Sequence, residues 1–182
     1  FDGGNSNDSA GSNNGVVVGG TSFTTSDGRT VASFDGSDDE IQYFHDASID
    51  FGSDISVSMW IKTSQTTSGI LFQKYNTSAG NNPSAFNLFI NQNASNKVSL
   101  YYRNSNNTSH WVDSTTSIND GQWHHVLAAL EGTELKIYVD GSLENTTTGV
   151  AAGSFTSNES MNIGAYTKPW NGVVESYYNG EI

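Results

Sequence analysis

The stretch Ile55-Ser56-Val57-Ser58-Met59-Trp60-Ile61-Lys62 decides the fold of this chain. Its odd positions are all apolar and its even ones mostly polar, the period of two expected of a strand with one face in a core. Trp60 breaks the alternation and turns to the opposite face, where a loop or a second layer is expected to cover it rather than leave it open to ligand. Downstream, Trp123 to Leu130 and Leu135 to Val139 are extended runs separated by Glu131-Gly132-Thr133, and Val139-Asp140-Gly141-Ser142 puts an Asp-Gly turn after them. Together they read as a meander, entered through another Asp-Gly turn in Ile118-Asn119-Asp120-Gly121-Gln122-Trp123.

Further strand-like runs recur at the spacing of a sandwich: Thr30 to Phe34, Glu40 to Phe44, Ile70 to Lys74, Phe86 to Ile90, Val98 to Arg103 and Met161 to Ile163. Phe1 to Gly28 is dense in Gly, Asn, Ser and Asp and reads as loops around one short strand, Val16-Val17-Val18. No segment has helix-length apolar periodicity, and none is a linker or a repeat. The 182 residues therefore make one all-β domain, an antiparallel sandwich of two sheets. The N-terminus reads as a cut within a domain.

Composition agrees. Asn (20), Ser (26), Thr (17) and Gly (19) make up 82 of the 182 residues, a strand-and-loop mixture with few aliphatics, so the core is expected to rest on Phe, Tyr and Trp, Trp123 among them. Seven cationic side chains against nineteen carboxylates give a net charge of −12, which repels phosphate backbones and anionic lipid and excludes nucleic acid as a partner. No apolar run is long enough for membrane insertion. With no cysteine there is no disulfide, thiolate nucleophile or zinc-thiolate site.

Four stretches carry a family resemblance. Phe34-Asp35-Gly36-Ser37-Asp38-Asp39-Glu40-Ile41, Ile55 to Lys62, Asp120-Gly121-Gln122-Trp123-His124-His125-Val126 through Asp140-Gly141, and Ile163-Gly164-Ala165 followed by Tyr178-Asn179-Gly180-Glu181-Ile182 resemble, in this order, the motifs of laminin-G-like, concanavalin-A-like jelly-roll domains, on the bacterial and pentraxin-related side. The resemblance covers nearly the whole chain and implies a jelly roll, an extracellular setting, and frequent binding of glycans and Ca²⁺. It also implies a closing strand that stops short here. The stretch that carries calcium ligands in the pentraxin branch is Tyr166-Thr167-Lys168-Pro169 in this chain, so a site of that kind is not expected. The E-x-D-x-x-E pair of the family's distant glycoside hydrolases does not occur.

Among candidate chemistries, retaining glycoside hydrolysis needs two carboxyls about 5 Å apart. Glu131 and Glu134 flank a turn, and the strand faces carry amides and hydroxyls instead, so no catalytic residue is assigned. His124 and His125 are neighbours on a strand, face opposite sides and cannot serve one site. A carbohydrate site calls for an aromatic plate beside amides and hydroxyls. Trp170 with Asn171, on a Pro- and Gly-flanked loop, is the first candidate; Trp111 beside His110, and Tyr75 with Asn76, are others. For a metal, Asp35, Asp38 and Asp39 offer hard oxygens within one turn, with Asp2 and Glu181 in reach if the chain ends meet there. That turn is read either as a Ca²⁺ site or as solvated acids in Asx-type hydrogen bonds. The expected function is a non-catalytic, extracellular carbohydrate-binding module with a glycan or polysaccharide partner, one unit among other domains of a longer adhesin or polysaccharide-active protein. The alternative is a structural or protein-interaction domain, an adhesin spacer or virion-surface domain, without a glycan site.

Overall fold

Short extended runs closed by Gly and Asx turns can bury their apolar faces only by stacking sheets. The computed structural model describes residues 1, 3–52, 54–76, 84–104, 106–151, 159–167 and 174–182, with Asn76 described by its backbone alone. In chain order the strands are β1 (Val16–Val18), β2 (Ser22–Ser26), β3 (Arg29–Asp35), β4 (Glu40–Tyr43), β5 (Ile55–Lys62), β6 (Gly69–Asn76), β7 (Ser84–Ile90), β8 (Val98–Arg103), β9 (Ser109–Asp113), β10 (Trp123–Glu131), β11 (Glu134–Val139), β12 (Ser142–Thr148), β13 (Met161–Ile163), β14 (Tyr166–Thr167), β15 (Val174–Glu175) and β16 (Asn179–Glu181). A single 3-10 turn, Ala47–Ile49, is the helical element among the described residues. Two seven-stranded antiparallel sheets form, ordered β1-β4-β13-β6-β7-β8-β9 and β12-β11-β10-β5-β16-β3-β2, and β14 pairs with β15 separately. The all-β, two-sheet antiparallel sandwich is thus the fold that the alternation implies, and the jelly roll the one that the resemblance implies.

β5 and β10 are paired along eight positions, from Trp123↔Lys62 to Leu130↔Ile55. His124, Val126, Ala128 and Leu130 face inward and are buried, so the period of two is obeyed throughout. The opposite face carries Trp123, His125, Leu127 and Ala129, half-buried. The core joins Ile61, Val126, Leu135 and Ile137 to Phe86, Leu88, Leu100, Tyr102 and Tyr178. Phe and Tyr carry it together with Ile, Leu and Val.

Two tryptophans depart from expectation. Trp123 is outside the core: its register partner is the outward Lys62, and its indole N–H donates to Asp27 at 3.0 Å. Trp60 is not covered; it is 43% exposed, with the Arg29 guanidinium 4.3 Å from its ring centre and the His125 ring at 5.3 Å. Both follow from parity, because residues paired across an antiparallel ladder share a face.

β2 and β9 were not expected as strands, and β12 was expected only as the extended segment that follows the Asp140-Gly141 turn. Each is the outermost strand of its sheet, pairs on one side, and carries Ser, Thr, His, Glu and Asn where an inner strand would alternate.

Asp140 (φ 51°) and Gly141 (φ 80°) both take left-handed conformations, the two-residue turn that matches strand twist. Asp140 also clips the hairpin to β10, accepting from His124 Nδ1 at 2.8 Å and from the His125 N–H at 2.8 Å, while His124 Nε2 lies 3.3 Å from Asp120. Burial pulls the His124 pKa down, but hydrogen bonds to Asp140 and Asp120 outweigh it, so the folded value lies above the ordinary 6.5. Protonated His124 therefore stabilises the fold fully below about pH 6.5, and this contribution disappears as the pH rises through the raised value. Urea midpoints measured from pH 6 upward should fall in the wild type and fall less in His124→Gln; equal slopes would reject the clip.

Gly164 sits at φ +90°, and a Cβ there would lie 2.3 Å from the Phe34 ring. Gly164→Ala should cost about 2–4 kcal/mol, from overpacking plus backbone strain. Urea unfolding measures it, and a loss under about 1 kcal/mol would show that the Phe34 contact yields.

Candidate functional site

One register row crosses the first sheet on its outer face: Gln42, Asn162, Gln73, Asn87, Tyr101 and Trp111 are successive partners. Four carboxamides thus run into two aromatic rings. Gln73 takes the Thr167 N–H on its Oε1 (2.8 Å) and donates to the Thr167 carbonyl (2.6 Å), which holds the β14–β15 pair over the sheet. Between that pair and β7–β9 lies a cleft of about 360 Å³.

The cleft wall is an arc of rings. Tyr101 and Trp111 lie 4.7 Å apart between centroids, Phe89 is 6.0 Å from Trp111 and 5.9 Å from Tyr166, and Tyr166 is 6.1 Å from Tyr75. Between them sit Asn87, Gln92, Arg103, Glu175 and Ser176. The Tyr75 and Tyr166 hydroxyls are 2.8 Å apart. Burial raises both phenol pKa values, and Tyr166 is raised further by its hydrogen bond with Tyr75, so both stay neutral hydroxyls. Asn87 is wholly buried beside the Tyr75 hydroxyl, yet neither amide atom makes a hydrogen bond of normal geometry. A buried amide left so is a group that a water or a ligand hydroxyl would satisfy.

Of the sugar-site candidates, the structure brings Tyr75 and Trp111 into this cleft. His110 is not part of it. As register partner of Tyr102 it faces the other side of β9 from Trp111, with its ring 6.4 Å from Tyr102. Asn76 ends β6 opposite Ser84. Trp170 and Asn171 fall in the sequence between β14 and β15 and lie outside the described residues. Sequence reading missed Phe89, Tyr101, Arg103, Tyr166 and Glu175. Parity along Val98 to Arg103 holds the signal for two of them, since Tyr101 and Arg103 must face away from the core residues Leu100 and Tyr102.

Asp35, Asp38 and Asp39 do converge, with one carboxylate oxygen of each within 4.8 Å of the others. Asp39 is buried and accepts the Gly20 N–H and the Asp35 N–H, each at 2.6 Å. Among the described residues no lysine, arginine or histidine forms an ion pair with the three. Glu181 is not in the cluster: it pairs with Ser33, two positions along β3 from Asp35, and accepts from the Ser26 hydroxyl at 2.6 Å. Asp2 lies outside the described residues.

Two antiparallel sheets packed face to face, with an aromatic cleft on one outer face, define a lectin-type sandwich. Residues 35–182 match the laminin G model of the concanavalin A-like lectin/glucanases superfamily, and the chain belongs to this family. Among curated proteins none matches it in sequence. Similar solved structures include domain 4 of AbnA, a GH43 extracellular arabinanase from Geobacillus stearothermophilus, in complex with arabinotriose; its TM-score is 0.70 at 20% identity, over 100% of this chain and 87% of that one. The CBM40 of the Ruminococcus gnavus IT-sialidase bound to α2,3-sialyllactose has a TM-score of 0.58 at 19% identity, over 72% of each chain. Domains LG4-5 of the mouse laminin α1 chain give 0.61 at 15% identity over 82% of this chain, which spans 38% of that one. At such identities the likeness is one of fold. Among the described residues no helix is long and apolar enough to cross a membrane.

Proposed function

We propose that this domain is a non-catalytic, extracellular glycan-binding module of a longer adhesin or polysaccharide-active protein, and that it holds its sugar in the β7–β9 cleft. The observation that carries the reading is the placement of ring faces beside polar side chains in one cleft: Tyr101, Trp111 and Phe89 beside Asn87, Gln92 and Arg103. Rings cover the apolar face of a pyranose, and amides and neutral phenols meet its hydroxyls. Glu175 is the single carboxylate lining the cleft among the described residues, whereas retaining hydrolysis uses two. Two relatives in fold were solved with arabinotriose and with α2,3-sialyllactose, which supports glycans as the ligand class.

Glycan-array or polysaccharide-affinity binding tests the reading. Trp111→Ala should weaken binding about tenfold or more, about 1.4 kcal/mol, with an unchanged melting temperature. Trp170→Ala is the matching variant for the plate expected from sequence. A clean array with well-folded protein would turn the assignment to a structural or protein-interaction domain, and release of product from a polysaccharide would turn it to an enzyme.

We also propose Ca²⁺ at the Asp35, Asp38 and Asp39 turn. Three converging carboxylates in a chain of net charge −12 repel one another, and a divalent cation would remove that repulsion. Binding to the native state alone stabilises it by about 2.7 kcal/mol at a hundredfold excess over Kd. For a domain of this size the melting temperature should rise by about 5–10 °C in millimolar Ca²⁺ relative to EGTA at matched ionic strength. An unchanged temperature overturns the site, and a full response in Asp35→Ala overturns its placement.

A further inference from the structure

Lys74 stands where the first sheet calls for an apolar side chain. Its register partners are Met161 on one side and Phe86 on the other, and the row continues to Tyr43 and Tyr102, on the face turned to the core. The lysine side chain is fully buried there. Its Nζ donates to the Glu159 carbonyl at 3.0 Å, and the carboxylate it meets is that of Asp50, with Oδ1 at 3.6 Å. Asp50 belongs to the connection between β4 and β5, directly after the 3-10 turn Ala47–Ile49, and its side chain is mostly buried. His45, from the start of the same connection, places Nε2 3.4 Å from the other oxygen, Oδ2. Phe51 meets Phe86 edge to face at 6.3 Å, and Phe86 meets Phe72 at 6.2 Å, so the residues beside Asp50 and Lys74 present aromatic rings.

As an ion pair this contact is poor. A charge-assisted N–H···O bond is about 2.7–2.9 Å long, well short of the separation between Lys74 and Asp50. Taking both charges out of water costs more than one long contact returns. Burial accordingly outweighs Asp50 and holds the Lys74 pKa below its ordinary 10.5. The shift is towards the free amine, the nucleophilic form of lysine. An amine beside a carboxyl group, on the inner side of a sheet, is the arrangement that condensation requires.

We propose that Lys74 and Asp50 become joined by an amide bond formed within the folded chain. The step balances without an oxidant or a co-reactant. A proton passes from the Lys74 ammonium to the Asp50 carboxylate, which leaves an amine and a carboxylic acid. Nζ then adds to Cγ, the C–OH bond breaks, and the hydroxyl departs as water with a second proton from Nζ. His45, in contact with Oδ2, is the group that hands this proton on. Ammonium and carboxylate thus become one amide and one water. Folding supplies the driving force that free amine and acid lack in water, since well-oriented intramolecular partners reach effective molarities of about 10⁵ M or more. The product is uncharged, so the buried ion pair disappears with its desolvation cost. The bond ties the crossover from β4 in one sheet to β5 in the other onto β6, a covalent staple in a chain without cysteine.

Mass spectrometry of the denatured wild-type protein tests the bond. The intact mass should lie about 18 Da, one water, below that of the sequence. Trypsin should no longer cut after Lys74, and peptides 30–62 and 63–97 should run as one branched species whose fragments place the link at Asp50 and Lys74. Lys74→Met and Asp50→Ala should both keep their full sequence masses. Asp50→Ala alters the connection and leaves the buried row intact, so it reads the bond even where Lys74→Met fails to fold. The full sequence mass in the wild type overturns the proposal. So does a loss of 18 Da that persists in Asp50→Ala or gives no branched peptide, which would assign it to a succinimide at one of the Asp-Gly turns.

Discussion

The ladder between β5 and β10 is the constraint on which the rest of the structure depends. Eight consecutive pairs lock the two strands in one register, and a slip of β10 by one residue would send Val126, Ala128 and Leu130 to solvent and Trp123 into the core. His124 enforces the register chemically. It is the polar member of the inward set, and it lies at the end of the ladder where Asp120 and Asp140 reach both ring nitrogens. The clip that closes the meander is thus also a reason why this register is preferred.

Once that sheet is fixed, the other follows a division of labour between its faces. Its inward residues, Phe86, Leu88, Leu100 and Tyr102, fill the space above the ladder. Its outward residues are then free of packing duty, and in the central row they are amides and rings. Of the three buried amides in that row, Gln73 is fully engaged with Thr167, and Asn87 and Asn162 keep atoms without partners. A buried amide without partners costs free energy, and the same sheet also buries the Ser84 and Ser99 hydroxyls and one Asp113 oxygen without partners; of these groups Asn87 is the one that lines the cleft.

The strands of the sheet centres could be read from sequence because burial on one face imposes alternation, as in Ile55 to Lys62. The polar edge strands could not be read from alternation, although the edge strand β1, Val16-Val17-Val18, could be read from its apolar residues. Ser22-Phe23-Thr24-Thr25-Ser26 and Ser142 to Thr148 pair on one side and obey no apolar rule. The cleft was half legible: Tyr75 and Trp111 were identifiable as rings near polar loops, but a site assembled from β6, β7, β8, β9 and the β14–β15 pair requires the register between distant segments. Nothing local in Phe89 or Tyr166 announces that they meet. The Asp35, Asp38 and Asp39 cluster was legible because one turn holds it, and Glu181 was misplaced because its distance from that turn is set by β16 pairing, not by sequence. Trp60 and Trp123 illustrate a rule of reading: parity gives the face of each, Trp123 lies outward because its partner Lys62 does, and cover over that face is a matter of loops that parity does not see.

The placement of positive charge separates the two surfaces. Lys136 is held by Glu131 and Glu134, Lys62 by Asp27, and Lys97 by the Thr115 carbonyl and the Ser117 hydroxyl. Lys74 is wholly buried, where it donates to the Glu159 carbonyl and lies 3.6 Å from Asp50; desolvation pulls its pKa down against these partners. Of the two arginines, Arg103 lies in the ring-lined cleft and Arg29 over Trp60 on the outer face of the second sheet. Arg29 is a planar donor held on a ring, and a guanidinium stacked in this way still donates through its edge. In the cleft Arg103 stands among amides, neutral phenols and the Glu175 carboxylate, so a ligand held there would meet ring faces and hydrogen-bonding groups more than net charge.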